Sequence, residues 1–131
     1  MGIFGNFFQG GEKKEEQSFG EENWNQLTSV SQLEELLASA NEKTYVFFKH
    51  STRCGISRMV WNQVRFLGKD KPEEVHLFYL DLIAYRDVSN AIAERLSVYH
   101  QSPQLIVLQD NEVVYEASHA AIENEMVKAL F

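Results

Sequence analysis

The chain has 131 residues, 44% of them hydrophobic, and a net charge of −7, which is enough sequence for one domain with a sizeable core. An acidic balance of this size disfavours a nucleic-acid partner. The apolar runs cover only about four to eight residues, whereas a bilayer-spanning helix needs about 20, so we expect no integral membrane insertion. The single cysteine excludes an internal disulfide framework and, without a signal-peptide pattern, predicts a reducing, cytoplasmic location.

The first 23 residues differ in composition from the rest of the chain. Residues 1–8 are apolar but interrupted by glycine. Residues 10–22 are mostly polar and charged, with too little apolar surface to offset the entropy lost on ordering. We therefore divide the chain into a flexible N-terminal lead-in at 1–23 and a folded domain at 24–131.

Hydrophobic periodicity predicts the first elements of this domain. A short strand at 24–27 precedes a helix that begins after Ser29 or Ser31 and ends at Asn41. Four consecutive apolar residues at 45–48 then predict a strand that is buried on both faces. This is typical of a parallel strand covered by helices.

The middle of the domain contains the only cysteine. A helix begins at Cys54 and is stopped by Gly68, and its apolar positions at helical spacing are Ile56, Met59, Val60, Val64 and Leu67. A strand at 75–82 follows. Asp87 then caps a third helix.

The last part of the domain predicts a hairpin and a helix. An apolar strand at 105–108 follows Ser102 and Pro103, and a turn at 110–112 leads into a strand at 113–117. The final helix uses Ile122, Met126 and Leu130.

The predicted order of elements is β-α-β-α-β-α-β-β-α, with helical crossovers first and a hairpin last. Right-handed crossovers that end in one hairpin build a mixed central β-sheet flanked by helices, which is an α/β, thioredoxin-like arrangement. Cys54 then lies at the carboxyl end of a central strand. Open α/β sheets place their ligand chemistry at that edge.

The cysteine opens the motif Cys54-Gly55-Ile56-Ser57, which has the spacing of a redox dithiol but a hydroxyl in place of the second sulfur. Thiol–disulfide exchange requires a thiolate, which a helix N-terminus favours. Ser57, one turn further on, can donate a hydrogen bond to the sulfur but cannot resolve a mixed disulfide. We interpret the motif as a monothiol exchange site with Cys54 and Ser57 as its catalytic residues; an inert buried cysteine is the alternative.

The charge around this motif is opposite to that of the chain. Six basic residues and one acidic residue lie from Lys49 to Lys71. Lys49, Arg53 and Arg58 are the basic residues nearest to the thiol in sequence. Either this local field favours the thiolate, or the long basic side chains only solvate a helix face.

Two other parts of the sequence bear on the site. Pro103 is expected to follow a cis peptide bond and to face the thiol, with the Ser102 backbone available to an extended substrate strand, although a plain strand-edge proline is the alternative. The four histidines have no ligand spacing, so no metal site is predicted. Of these, His50 is nearest to the thiol in sequence, and a strand-end histidine with a satisfied ring is favoured over a role in ionising Cys54.

A family resemblance becomes specific at this point. Residues 49–57, Lys-His-Ser-Thr-Arg-Cys-Gly-Ile-Ser, resemble the active-site stretch of the YtxJ-type monothiol bacilliredoxins. Ser-Pro-Gln at 102–104 and Ala-Ser-His at 117–119 are similar to later motifs of that family. Order and spacing match from about residue 24 to residue 130.

In those proteins the cysteine removes bacillithiol from mixed disulfides on other proteins, and the resemblance implies this role for Cys54. It implies bacillithiol as a co-substrate without a tightly bound cofactor, and proteins with S-thiolated cysteines as partners. We assign substrate contacts to Arg53, Gly55, Ser102 and Pro103. A monomer is expected.

One departure from the family motif keeps other functions open. The family form is Cys-Pro-Ile-Ser, whereas Gly55 leaves the first helical turn more flexible and adds an N–H donor. Glycine also makes the motif similar to the Cys-Gly-Phe-Ser of monothiol glutaredoxins, which hold iron–sulfur clusters with glutathione. The chain lacks their Gly-Gly-x-Asp segment after the hairpin, so a cluster carrier is the second interpretation. A non-catalytic binding module on the same fold is the third.

Overall fold

The structure, a computed structural model, describes residues 21–131. Its strands are β1 (Trp24–Gln26), β2 (Thr44–His50), β3 (Val75–Asp81), β4 (Gln104–Gln109) and β5 (Glu112–Ser118). Its helices are α1 (Val30–Ala38), α2 (Gly55–Val64), α3 (Arg86–Leu96) and α4 (Asn124–Lys128). Short 3-10 helices cover Arg65–Gly68 and His119–Ala121.

The five strands form one mixed sheet in the order β1-β3-β2-β4-β5. The central strand, β2, is parallel to β3 and antiparallel to β4, and all seven of its residues are buried. The predicted order of elements and the buried central strand are therefore confirmed.

Alternate residues of β2 contribute to two separate apolar cores. Val46 and Phe48 face α2 and α4, whereas Tyr45 and Phe47 face α1 and α3. Helices cover both faces of the central strand, so solvent reaches it only at its ends. The chemistry of the domain must therefore be sought at an end of the sheet.

The start of α1 was one of two predicted alternatives, and the structure selects Ser29. The Ser29 hydroxyl accepts a hydrogen bond from the backbone N–H of Gln32 at 3.1 Å. The Gln32 side chain accepts one from the N–H of Thr28 at 3.0 Å, which satisfies a second free donor at this terminus. The predicted end at Asn41 is wrong, because Ser39 already caps the helix.

Two predictions about later helices are also wrong. Tyr85 is the residue before α3, so Asp87 lies inside the first turn and is not the cap. In α4, Val127 is buried and Met126 is 54% exposed, so the apolar face of this helix is rotated by one residue from the predicted one.

Residues 1–20 of the predicted lead-in lie outside the described part of the chain. The next three residues contact the 3-10 helix after α2: Glu21 pairs with Arg65 at 3.1 Å, and the Asn23 amide donates to the Gly68 carbonyl at 2.8 Å. A Cβ atom at Gly68 would overlap the Glu22 carbonyl oxygen, so only glycine allows this approach. None of the helices within residues 21–131 is long and apolar enough to cross a bilayer.

Candidate active site

The turn between β2 and α2 presents Cys54. This residue is the N-cap of α2, half-buried, with its thiol free, and its backbone N–H donates to the Ser51 carbonyl at 3.1 Å. Its own carbonyl accepts the first helical hydrogen bond, from Arg58 at 3.0 Å. The sulfur therefore lies where the unpaired N–H groups of a helix N-terminus favour negative charge.

A guanidinium group adds to this positive field. Arg58 donates to the Thr52 carbonyl at 3.3 Å, and its Nη2 atom lies 3.9 Å from the place that a Cβ of Gly55 would occupy. Arg53 is exposed on the same turn. Gly55 has no closer neighbour, so the turn has room for a side chain there.

Ser57 does not lie as the sequence predicted. Its side chain is completely buried, and its hydroxyl oxygen accepts a hydrogen bond from the Ser51 N–H at 3.0 Å and lies 2.8 Å from His50 Nδ1. Within residues 21–131 neither of these two hydrogen bonds involves Cys54. The prediction that Ser57 donates to the Cys54 sulfur is wrong, because a buried backbone N–H and a buried ring take the hydroxyl instead.

His50 lies inside an aromatic cluster at the end of β2. Its ring stacks on Phe48 with centroids 5.8 Å apart and contacts Tyr79 at 5.5 Å and Trp61 at 6.3 Å. Burial lowers the pKa of His50, and the charge of Arg58 acts in the same direction, while Asp81 opposes both. The ring is therefore neutral at pH 7, and the predicted strand-end histidine with a satisfied ring is confirmed.

The helix surface beside Cys54 is apolar. Ile56 and Met59 are 55% and 72% exposed, whereas Val60, which the sequence grouped with them at helical spacing, is buried. Ser57 takes the inward position in this turn, and Ile56 and Met59 point to solvent. An exposed apolar pair next to a free thiol suits contact with a polypeptide.

The second part of the candidate site lies at the start of β4. The Ser102–Pro103 peptide bond is cis, as predicted, and the Pro103 carbonyl accepts from the His119 N–H at 3.0 Å. Gln104 is paired with Lys49 in the antiparallel ladder, so Pro103 directly precedes β4 at the end of the sheet where β2 ends. The Ser102 hydroxyl is buried and has no hydrogen-bond partner among the described residues.

The amide of Gln104 organises the loop before this proline. Gln104 is fully buried; its side chain donates to the Tyr99 carbonyl and to the Glu116 carboxylate, both at 2.9 Å. The side-chain carbonyl oxygen of Gln104 accepts a hydrogen bond from the Gln101 N–H at 3.3 Å. Sequence reasoning missed this role, although a glutamine opening an apolar run was the available signal.

Lys49, which the sequence counted with the positive field near the thiol, is not on the surface. Its side chain is completely buried on the α1 and α3 face, and its ammonium group lies 3.3 Å from His100 Nδ1. His100 Nδ1 in turn lies 3.4 Å from the Ser89 hydroxyl. Burial lowers the pKa of Lys49 to about 8. A lysine in phase with Tyr45 and Phe47 on β2 was the signal that it points into the core.

The predicted site residues thus form two groups at one edge of the sheet. Arg53, Cys54 and Gly55 make the turn after β2, with Ser57 beneath them, and the cis Ser102–Pro103 bond directly precedes the neighbouring strand. Within residues 21–131 no three histidine, cysteine, aspartate or glutamate side chains are close enough together to hold a metal ion.

Comparison with known proteins identifies the family and the fold of the chain. The family model for the monothiol bacilliredoxin BrxC matches residues 25–127. A solved structure assigned as an oxidoreductase with a thioredoxin fold is 28% identical over 80% of this chain and 90% of its own, with a TM-score of 0.69.

Two thioredoxins are more distant. Thioredoxin O2 of Arabidopsis thaliana is 21% identical, with a TM-score of 0.64 over 82% of this chain and 90% of its own. Fasciola hepatica thioredoxin is 22% identical, with a TM-score of 0.62 over 81% and 94%. The predicted thioredoxin-like fold is confirmed.

Proposed function

Because the chain belongs to the monothiol bacilliredoxin family and is a thiol–disulfide oxidoreductase, we propose that it removes a low-molecular-weight thiol, bacillithiol, from protein mixed disulfides. The proposal places this reaction in the cytoplasm. The observation that carries it is the position of Cys54, a free and partly accessible thiol at the N-terminus of α2 beside an exposed apolar pair.

The reaction has two exchange steps. The Cys54 thiolate attacks the bacillithiol sulfur of the mixed disulfide, a new S–S bond forms to Cys54, and the protein substrate leaves as a thiolate. A second bacillithiol thiolate then attacks the sulfur of the bound bacillithiol. This step releases bacillithiol disulfide and the Cys54 thiolate, so the external thiol supplies the two electrons. Ser57 has no sulfur, so the chain cannot complete the cycle by an internal disulfide.

The surface around Cys54 supports a protein substrate. Ile56 and Met59 offer apolar contact, and Arg53 and Arg58 offer positive charge to an acidic neighbour or to an anionic thiol. The Ser102 backbone at the start of β4 is positioned at the same edge, where an extended segment could pair with it. In this proposal the chain acts as a monomer and holds no tightly bound cofactor.

The experiment measures transfer of one thiol to this chain. Reduced protein is incubated with a bacillithiolated reporter, and in parallel with a glutathionylated one, and the intact mass of each protein is followed. We expect the chain to gain the mass of one bacillithiol, faster than one glutathione, and to lose it again on addition of free bacillithiol. Cys54→Ala abolishes the transfer, whereas the matched control Met126→Ala, an exposed methionine on α4, transfers normally.

Two results contradict the proposal. One is release of the reporter thiol by the Cys54→Ala protein at the same rate. The other is a chain that gains no thiol but, reconstituted with iron, sulfide and glutathione, holds a stable cluster between two copies, which would show a cluster carrier instead.

A further inference from the structure

The turn that presents Cys54 is closed by a small hydrogen-bond network around Ser51. The Ser51 carbonyl accepts from the Cys54 N–H at 3.1 Å, and the Ser51 N–H donates to the Ser57 hydroxyl at 3.0 Å. The Ser57 hydroxyl lies 2.8 Å from His50 Nδ1. Both backbone groups of Ser51 are thus fixed, one by the cysteine and the other by the serine that occupies the second position of its motif.

Counting protons fixes the direction of the Ser51–Ser57 hydrogen bond, and the His50 tautomer sets the direction of the other. The Ser51 N–H can only donate, so the Ser57 oxygen accepts there and has a single proton of its own to give. With a neutral His50 whose proton is on Nε2, the network runs in one direction, from the Ser51 N–H to the Ser57 hydroxyl and on to Nδ1. Every group in it then has its partner.

Protonation of His50 reverses the second of these bonds. An imidazolium donates from Nδ1, so the Ser57 oxygen accepts two hydrogen bonds and its own proton must turn to another acceptor. Cys54, the N-cap of α2, precedes Ser57 by three residues, which is one helical turn. The state of His50 thus determines whether Ser57 is fully occupied or free to donate toward that turn.

The surroundings of His50 favour the neutral ring. Tyr79 and Asp81 face it from β3, and Trp61 and Arg58 face it from α2. Burial is the largest effect and lowers the pKa of His50, and the positive charge of Arg58 lowers it further. The negative charge of Asp81 and a hydrogen bond to the Ser57 backbone raise it without cancelling the decrease. A buried ring enclosed by aromatic side chains is suited to hold one tautomer.

We propose that His50 is a positioning residue for Cys54 that acts through Ser57: it fixes the turn that carries the thiol while its ring is neutral, and it releases the Ser57 hydroxyl when its ring is protonated. This rests on the proposed function only in taking Cys54 as the reacting group. The serine of the motif is then the link between the thiol turn and a buried titratable ring, in addition to being a replacement for a second cysteine.

The first measurement is the tautomer itself, from ring-nitrogen NMR of the full chain at pH 7.5. We expect Nδ1 of His50 to carry no proton and Nε2 to carry one. A proton on Nδ1 at this pH would overturn the proposal, because the Ser57 hydroxyl would then be free in the resting protein.

The second measurement is the rate of Cys54 alkylation by iodoacetamide between pH 4.5 and pH 8.5. We expect a break in the pH profile of the wild type below pH 6.5. The break is lost in His50→Asn, because asparagine keeps a polar group near the Nδ1 position but does not titrate. It is also lost in Ser57→Ala, although that variant retains His50. His76→Asn, the matched control on β3, keeps the break. A break that persists in Ser57→Ala would mean that His50 acts by its charge alone, and the proposal would fail.

The third measurement separates positioning from packing. His50→Phe keeps the ring in the aromatic cluster but leaves Ser57 without a partner there, and we expect thiol transfer from the reporter to slow about fivefold, the equivalent of one hydrogen bond. His50→Asn restores the rate to within about twofold of the wild type. A folded His50→Asn that is as slow as His50→Phe would contradict the proposal. If the wild type takes no thiol from the reporter, the proposed function fails, while the tautomer and the alkylation profile still decide the role of His50.

Discussion

Lys49 and His50 are neighbours at the end of β2, and they point to opposite faces of the sheet. Both residues are buried, with 0% and 3% of their surface exposed, and each bonds to one of the two parts of the candidate site. His50 bonds to Ser57 beneath the thiol turn, whereas Lys49 bonds to His100 in the loop before the cis proline. One strand therefore positions both halves of the site.

The two sides differ in how they satisfy a buried polar group. His50 can lose its charge near neutral pH, and its ring packs against aromatic side chains, so its burial costs little free energy. Lys49 remains charged at pH 7, and within residues 21–131 its ammonium group pairs with an exposed imidazole and no carboxylate. We conclude that the His50 side stabilises the fold and that the Lys49 side is held at a cost in stability.

Ser57→Val tests the His50 side and should have the largest effect. Valine fills the buried position but leaves the Ser51 N–H and the His50 ring without partners, so we expect a loss of about 3 kcal/mol in the free energy of unfolding. Urea unfolding measures it. The matched control is Ser89→Ala, a buried serine on the other face whose hydroxyl bond to His100 is 3.4 Å long, and it should lose less than about 1 kcal/mol. Equal losses in the two variants would contradict the conclusion that the two faces differ in how much their buried polar groups stabilise the fold.

Lys49→Met tests the Lys49 side and should stabilise the protein. Methionine keeps the aliphatic part of the side chain and removes a buried charge, so we expect a gain of about 2 kcal/mol at pH 7. The folded chain releases the Lys49 proton at about pH 8 and the unfolded chain near pH 10.5, so the unfolded state holds more protons between these values. Wild-type stability therefore rises with pH across this interval, and the advantage of Lys49→Met shrinks by pH 10. A variant that is less stable at pH 7 would show that the charge is well compensated.

His100→Ala should have the smallest effect and sharpens the account of Lys49. Removing the exposed ring opens the ammonium group to water, so the pKa of Lys49 should return toward its ordinary value and the rise in stability above pH 8 should flatten. We expect a change below about 1 kcal/mol at pH 7. Urea unfolding at pH 7 and pH 9.5 measures both, with the 92% exposed Tyr99→Ala as control. An unchanged slope above pH 8 would mean that His100 does not shield Lys49.

The His50 side has its own pH dependence, with the same sign as that of Lys49 but at lower pH. Because burial lowers the pKa of His50, the unfolded chain binds a proton before the folded chain does as the pH falls. Its contribution is fully present above about pH 6.5 and decreases as the pH falls below that value. The two neighbouring residues therefore weaken the fold in different conditions, His50 in acid and Lys49 at neutral pH.

The fold could be predicted because its signals are periodic. Four consecutive apolar residues marked the centre of the sheet, and the single cysteine marked the helix start that follows it. The direction of polar side chains near that helix could not be predicted. Ser57 could lie on either side of α2, and only the three-dimensional position of the Ser51 N–H and the His50 ring selects the inward one.

The same limit explains why the roles of Lys49 and Gln104, which bond to the loop before the cis proline, were not predicted. Lys49 counted as part of a positive surface field in the sequence, and Gln104 was named only as the last residue of the Ser-Pro-Gln motif. Both are buried, because each supplies hydrogen bonds to a loop that has no regular structure of its own. Sequence periodicity shows which residues are apolar, but it does not show which loops require a buried donor.

The outer strands of the sheet determine how the protein behaves at high concentration. β1 has three residues, too few to template another strand, but β5 has seven, and among the described residues it pairs only with β4. The register shift between Val107 and Leu108 leaves Val114 as an extra residue in β5, which bends this edge. Glu112 and Glu116 place negative charge along it, so edge-to-edge aggregation between copies is opposed by both shape and charge. Glu116, which holds the amide of Gln104, thus also helps to keep the protein dispersed.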